Sequence, residues 1–119
     1  MPYIFLRDKP VSLSFIQLPL FLIGIDISND AKLLYAVLLR RAGVSRKEKW
    51  FDGDGRLYVY YTIKEARKLL GCCNQKAIKT FTELEKTSLI LRKKQGCGKP
   101  AKILLKTPAE AENSGYMGI

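Results

Sequence analysis

The chain has 119 residues, 47% hydrophobic and 27% charged, and its Lys and Arg outnumber Asp and Glu to give a net charge of +10. These values fit one soluble globular domain with one core, and a basic excess of this size favours a polyanionic partner such as nucleic acid. The absence of histidine, of phosphate-binding and dinucleotide-binding motifs and of a paired carboxylate cluster predicts that the chain is not an enzyme and needs no cofactor.

The first predicted feature is an apolar segment at residues 11–25, which overlaps the end of an N-terminal arm predicted at residues 1–14. Ser14, Gln17 and Pro19 interrupt the segment, and it is too short to cross a bilayer. No small-residue cleavage site follows it, so a signal peptide is not expected either. We therefore predict a strand or extended segment against the core, and no membrane partner.

A helix is predicted over residues 30–43, with Ser28, Asn29 or Asp30 as its N-cap and Gly43 as its end. Apolar residues cover most of its circumference, which predicts a central, buried helix. These residues are Leu33, Leu34, Tyr35, Val37, Leu38 and Leu39.

A turn and a strand follow. The sequence FDGDGR at residues 51–56 contains Asp-Gly twice, which is a strong turn signal, and two carboxylates are too few for a Ca²⁺ loop. Residues 56–61 alternate as a strand does. Leu57, Val59 and Tyr61 are predicted on one face, with Tyr58 and Tyr60 on the other.

Two helices joined by a tight turn are predicted next. Thr62 and Glu65 form a capping-box pattern at the first helix, whose inward residues include Ala66 and Leu69, and Gly71 ends it. Asn74 is the predicted cap of the second helix. At about 100° per residue this helix has an apolar face and an opposite polar face. The apolar face consists of Ala77, Ile78, Phe81 and Leu84, and the polar face of Gln75, Lys76, Lys79, Glu83 and Lys86.

The C-terminal part reads as a β-hairpin with a basic loop. Two strand patterns, at residues 89–94 and 101–106, flank the loop QGCGKP. Residues 62–106 contain twelve Lys or Arg and three Glu, a net +9. The predicted fold class is therefore α+β and mostly helical, a winged helix-turn-helix at residues 15–106 with a C-terminal β-hairpin wing. Residues 107–119 are predicted as a linker or disordered tail.

This arrangement predicts a module that binds double-stranded DNA, with the second helix as the recognition helix. Lys76 and Lys79 are candidate groove or phosphate contacts, and Gln75 is suited to bidentate pairing with adenine. Glu83 is a candidate acceptor from cytosine, although a solvated glutamate is the more ordinary alternative. Thr80 is placed on the flank of the helix, within reach of a phosphate.

The wing supplies the remaining candidate contacts. Lys93, Lys94, Lys99 and Lys102 are predicted to approach phosphates, with a solvated surface as the alternative for each. Lys64, Arg67 and Lys68 of the preceding helix are further candidates for the DNA backbone.

The three cysteines, Cys72, Cys73 and Cys97, are an odd number with an adjacent pair. This pattern predicts no disulfide framework and favours a reducing cytoplasm. Three cysteines without histidine cannot complete a tetrahedral zinc site in one chain, so no metal is expected.

Three stretches together resemble a known family. The block DAKLLY, the strand entry that begins DGR, and the wing sequence RKKQGCGKP follow in order the N-terminal domain of RepA-type plasmid replication initiators of low-G+C Gram-positive bacteria. The resemblance covers about residues 15–106.

The resemblance implies a dimeric winged-helix domain that binds repeated or palindromic sites at a plasmid or integrated-element origin. Such proteins continue into a C-terminal domain that contacts host replication proteins such as primase, so this chain is expected to be one domain of an initiator or a truncated homologue. The alternatives are a winged-helix transcriptional regulator, which shares this shape, and a protein-interaction domain, which the +9 segment disfavours.

Overall fold

The structure is a computed structural model that describes residues 3, 5–8, 13–96 and 98–107. Among these, a 3₁₀ turn at Leu20–Leu22 is the first regular element. Phe21 and Leu22 are buried, and the Phe21 ring packs edge-on against Tyr35 with centroids 5.8 Å apart. The prediction of a segment against the core is right for these two residues. It is wrong for Phe15, which is exposed because its part of the segment forms no regular structure.

Helix α1 spans Asn29–Lys47, and Ser28 is its N-cap, with the hydroxyl accepting from the Ala31 N–H at 3.2 Å. Leu34, Tyr35 and Leu38 are fully buried, so the central position predicted for this helix is confirmed. The prediction that Gly43 ends the helix is wrong. Gly43 keeps a helical conformation, and the helix stops four residues later.

The predicted turn is confirmed at Asp52, whose carboxylate accepts from the backbone N–H groups of Asp54 at 3.0 Å and Arg56 at 2.8 Å. The strand that follows, β1, is shorter than predicted and spans only Tyr58–Val59. Its two faces are as predicted: Val59 is buried, while Tyr58 stacks on Trp50 outside the core.

Helix α2 spans Ile63–Leu70 and helix α3 spans Asn74–Lys86. The Thr62–Glu65 capping box is present, and Gly71 ends α2 with a left-handed φ of 62°, which a residue without a Cβ adopts readily. The prediction that Asn74 caps α3 is wrong, because Asn74 is the first residue of the helix. Cys73 occupies the cap position.

Strands β2, Ile90–Lys93, and β3, Lys102–Leu105, form the predicted hairpin. The antiparallel sheet has the order β1-β3-β2, with Lys93 opposite Lys102 at the end of the hairpin. The three helices and this sheet confirm the α+β winged-helix class.

One core joins all these elements. Its largest fully buried side chains come from the 3₁₀ turn, α1, α3 and the sheet, and they include Leu22, Tyr35, Phe81, Leu84 and Ile103. Because α3 contributes to this core, only its other side is available to a ligand.

No helix in the described part of the chain is long and apolar enough to cross a membrane. Of the tail predicted at residues 107–119, all but Thr107 lies outside the described residues, and so does Cys97. The boundaries at residues 14 and 107 stay predictions.

Candidate nucleic-acid interface

Helix α3 separates its apolar and polar sides as the sequence predicts. Ala77, Phe81 and Leu84 are buried, while Gln75 and Lys79 are exposed. The helix therefore packs one side on the domain and leaves a polar, basic side in solvent.

Two residues of α3 differ from their predicted placement. Ile78, predicted in the core, is 47% exposed because it lies at the edge of the apolar side. Thr80, predicted to reach a phosphate, is only 3% exposed, and its hydroxyl donates to the Lys76 carbonyl at 2.8 Å. Thr80 lies between Ala77 and Leu84 on the buried side, so we remove it from the candidate contacts.

Lys76 and Lys79 line one open cleft of about 450 Å³, together with Cys73 and Gln75, so the structure brings these predicted residues together. The two lysines differ in their partners. The Lys76 ammonium lies 3.2 Å from the Asp30 carboxylate at the start of α1, and this hydrogen bond raises the pKa of Lys76. Lys79 has no ion pair with any residue that the structure describes.

Glu83 has a role that the sequence did not suggest. Its carboxylate accepts from the Ser28 backbone N–H at 2.7 Å and from the Ser28 hydroxyl at 2.6 Å. The Glu83 side chain is therefore not simply solvated, because each carboxylate oxygen accepts one hydrogen bond from Ser28. The predicted acceptance from cytosine stays a prediction. The partners are 55 residues apart in sequence, and no local pattern signals the pairing.

The opposite flank of α3 is held by strand β2. The Arg92 Nε donates to Glu85 at 2.7 Å, and the guanidinium carbon lies 5.0 Å from the centre of the Phe81 ring. We call the Ser28–Glu83 and Asp30–Lys76 pairs the α1 contact, and the Arg92 interactions the β2 contact. Together they fix α3 on both flanks.

The wing lysines fall into two groups. Lys93 lies 4.0 Å from an Asp52 oxygen, and the Lys102 ammonium lies 4.6 Å from the centre of the Tyr58 ring. Lys94 and Lys99, closer to the tip, are exposed and have no ion pair within the described ranges. Of these four lysines, the two without an ion pair or a ring contact to a described residue are therefore the two at the tip.

The described wing loop projects into solvent rather than folding into the interior. Gln95 to Pro100 is exposed throughout its described residues. The Gln95 amide donates to the Pro100 carbonyl at 2.9 Å, which links the two ends of the loop, and to the Tyr60 hydroxyl at 3.2 Å, which links the base of the loop to the residue after β1.

Helix α2 adds three exposed basic residues, Lys64, Arg67 and Lys68, none paired with a described carboxylate.

The Cys73 thiol has a lowered pKa, mainly because of a hydrogen bond from the backbone N–H of Lys76, and the charge of Arg67 contributes. Cys72 and Cys73 are both free thiols. The described residues contain no group of three or more side chains suited to hold a metal.

The family model described as "Replication initiator protein A (RepA) N-terminus" matches residues 14–117. A curated relative, a 41 kDa protein of Lactobacillus helveticus, is 29% identical over 72 residues. That match covers 60% of this chain and 20% of the relative, so the chain spans about a fifth of the relative's length.

The chain is similar to several solved structures, of which three are described. An "N-Terminal domain of DNA binding protein" has a TM-score of 0.68 and 25% identity, covering 93% of this chain and 99% of that one. An "MDR initiator" has a TM-score of 0.65 and 35% identity over 81% of this chain and 78% of that one. A "Rep-DNA complex" has a TM-score of 0.67 and 28% identity over 87% and 90%.

Proposed function

We propose the function of the chain from its family: the chain belongs to the replication initiator protein A N-terminal domains, whose model matches residues 14–117. The chain is the domain with which a plasmid or integrated-element replication initiator binds double-stranded DNA. It acts by binding rather than by catalysis, and its place of action is the cytoplasm.

The observation that carries this proposal is the fixed, outward-facing basic side of α3. The α1 and β2 contacts hold the helix on both flanks, while Gln75 and Lys79 stay exposed between them. A recognition helix needs this combination of a docked apolar side and a free polar side. A structure described as a Rep-DNA complex shares this fold with a TM-score of 0.67, which supports the same ligand.

Contacts to phosphates and to bases are assigned to different residues. Lys79 neutralises a phosphate beside the groove, and Lys94 and Lys99 do so from the wing, because none of the three is paired within the described residues. Gln75 reads adenine through its amide. Lys76 contributes less, since Asp30 already neutralises it in part.

We further propose that the domain binds origin repeats as a homodimer. Two surfaces support self-association: the N-terminal segment, where Phe15 and Leu18 are exposed, and strand β1, an outer strand of the sheet. Outer strands can offer backbone groups to a second chain, and on β1 the Tyr58 N–H already donates to the Trp50 carbonyl at 3.2 Å. Contacts with host replication proteins are assigned to a further region of the initiator, in keeping with the greater length of the curated relative.

The test is selection of bound fragments from the source element's own DNA. We expect enrichment of repeats at its replication origin, with binding that weakens steeply as salt rises. Enrichment of a promoter region instead would favour the transcriptional regulator. The absence of salt-dependent duplex binding would contradict the proposed function altogether.

A further inference from the structure

We propose that Ile78 is a specificity-determining residue that reads the C5 methyl group of thymine in the major groove. This inference rests on the proposed function and names a base preference for the same surface. It starts from the one large apolar side chain that α2 and α3, both described in full, leave exposed.

The position of Ile78 relative to the fixed contacts carries the argument. Glu83 faces α1 on one flank of α3, and Glu85 faces β2 on the other. Ile78 lies on the exposed side between these flanks, 47% exposed, one turn after Gln75. Because both flanks are held, α3 cannot rotate to bury Ile78 without breaking hydrogen bonds of 2.6–2.7 Å.

Ile78 also lies where a recognition helix contacts bases. It is the fifth residue of α3, and the N-terminal part of such a helix meets the base edges. Three residues of helix rise about 4.5 Å, which is close to the spacing of about 3.4 Å between successive base pairs. Gln75 and Ile78 are therefore spaced to contact neighbouring base pairs.

The chemistry of the side chain selects the base. The thymine methyl is the apolar group that base edges display in the major groove, and apolar side chains contact it. A β-branched residue in a helix is largely confined to one χ1 rotamer, so its methyl groups are already positioned and little entropy is lost on binding. An adenine beside a thymine is the step that Gln75 and Ile78 together recognise.

The experiment uses the chain and the tightest duplex recovered by selection from a random pool. Each thymine of that duplex is replaced in turn by uracil, which removes only the methyl group. At one or more positions the wild-type protein is expected to lose about fourfold in affinity, the value of one buried methyl group. Ile78→Ala is expected to bind the thymine and uracil versions equally at that position.

Val44→Ala is the matched control, since Val44 is a β-branched helical residue that is 60% exposed near the far end of α1. It should retain the wild-type response to uracil. Ile78→Val, which keeps the β-branch, should retain part of it and guards against a folding defect in the alanine variant. Circular dichroism checks that each variant is folded.

The inference is overturned if no thymine occurs in the selected site, if uracil has no effect at any position, or if Ile78→Ala responds to uracil as the wild type does. These results differ from failure of the proposed function. That failure appears as the absence of any salt-dependent binding to duplexes, and it removes this inference as well.

Discussion

Helix α3 and the wing are both basic, but their charged side chains have different partners. In α3, side-chain contacts of 2.6–3.2 Å to α1 and β2 fix the helix on both flanks, and they occupy Lys76, Glu83 and Glu85. In the wing, the basic residues near the strands are occupied, while Lys94 and Lys99 toward the tip are not. A helix whose flanks are fixed is suited to reading bases, and unpaired lysines at a loop tip are suited to binding phosphates.

The largest expected effect comes from removing the α1 contact with Glu83→Ala. Two hydrogen bonds to a charged acceptor are lost and the cap of α1 is weakened, so the free energy of unfolding should fall by about 2 kcal/mol. Chemical denaturation measures it. Glu48→Ala, which removes an exposed carboxylate unpaired among the described residues, should change stability by less than about 0.5 kcal/mol.

A stability of Glu83→Ala equal to that of the control would show that Glu83 is solvated and that α3 is not fixed on this flank. The Ser28→Ala variant sharpens the test, because its effect and that of Glu83→Ala should be strongly non-additive in a double-mutant cycle.

The wing tip should respond in the opposite way. Lys94→Ala combined with Lys99→Ala removes two unpaired charges, so DNA affinity should fall about tenfold at moderate salt while stability changes by less than about 0.5 kcal/mol. Fluorescence anisotropy and denaturation measure the two quantities. The matched control removes Arg46 and Lys47 at the far end of α1. An equal loss of affinity in the control would show that Lys94 and Lys99 act only through general electrostatic attraction and do not contact phosphates.

A smaller effect is expected at acidic pH. The stability that the Glu65 contacts give to α1 and α2 should decrease, whereas the wing tip should not be affected. Burial alone raises the pKa of Glu65, but the Thr62 N–H and the Arg41 guanidinium, 2.8 Å away, outweigh it and lower this pKa below the ordinary 4.5. A lowered carboxylate pKa gives stability that is present above about pH 4.5 and lost as the pH falls through the folded-state value.

Glu65→Gln should therefore lose less melting temperature between about pH 6 and about pH 3 than the wild type does. Residues 94–101 contain no Asp or Glu, so the wing loop itself has no acid-sensitive contact of this kind. Identical acid profiles for the two proteins would show that the Arg41–Glu65 pair does not contribute.

The sequence predicts local features well. The capping box at Thr62, the left-handed Gly71 and the turn at Asp52 are confirmed, because each depends on backbone chemistry within a few residues. The alternation around Val59 also gives the correct faces, since a strand places successive side chains on opposite sides.

The misplaced residues share a different cause. A helical wheel assigns Glu83 to the exposed side of α3, but it cannot show that the N-terminus of α1 lies there with two free donors. Periodicity places Thr80 between Ala77 and Leu84 on the buried side, and its hydroxyl tolerates burial because it donates to the Lys76 carbonyl. Gly43 remains helical because packing elsewhere in α1 outweighs the modest cost of a glycine.

The most direct test compares the salt dependence of duplex binding for the wild type, Lys79→Ala and Lys76→Ala. If α3 presents Lys79 to a phosphate, the slope of log affinity against log salt should decrease by about one for Lys79→Ala. It should decrease by less for Lys76→Ala, because Asp30 already pairs with Lys76. An unchanged slope for Lys79→Ala, or a larger change for Lys76→Ala, would contradict the account.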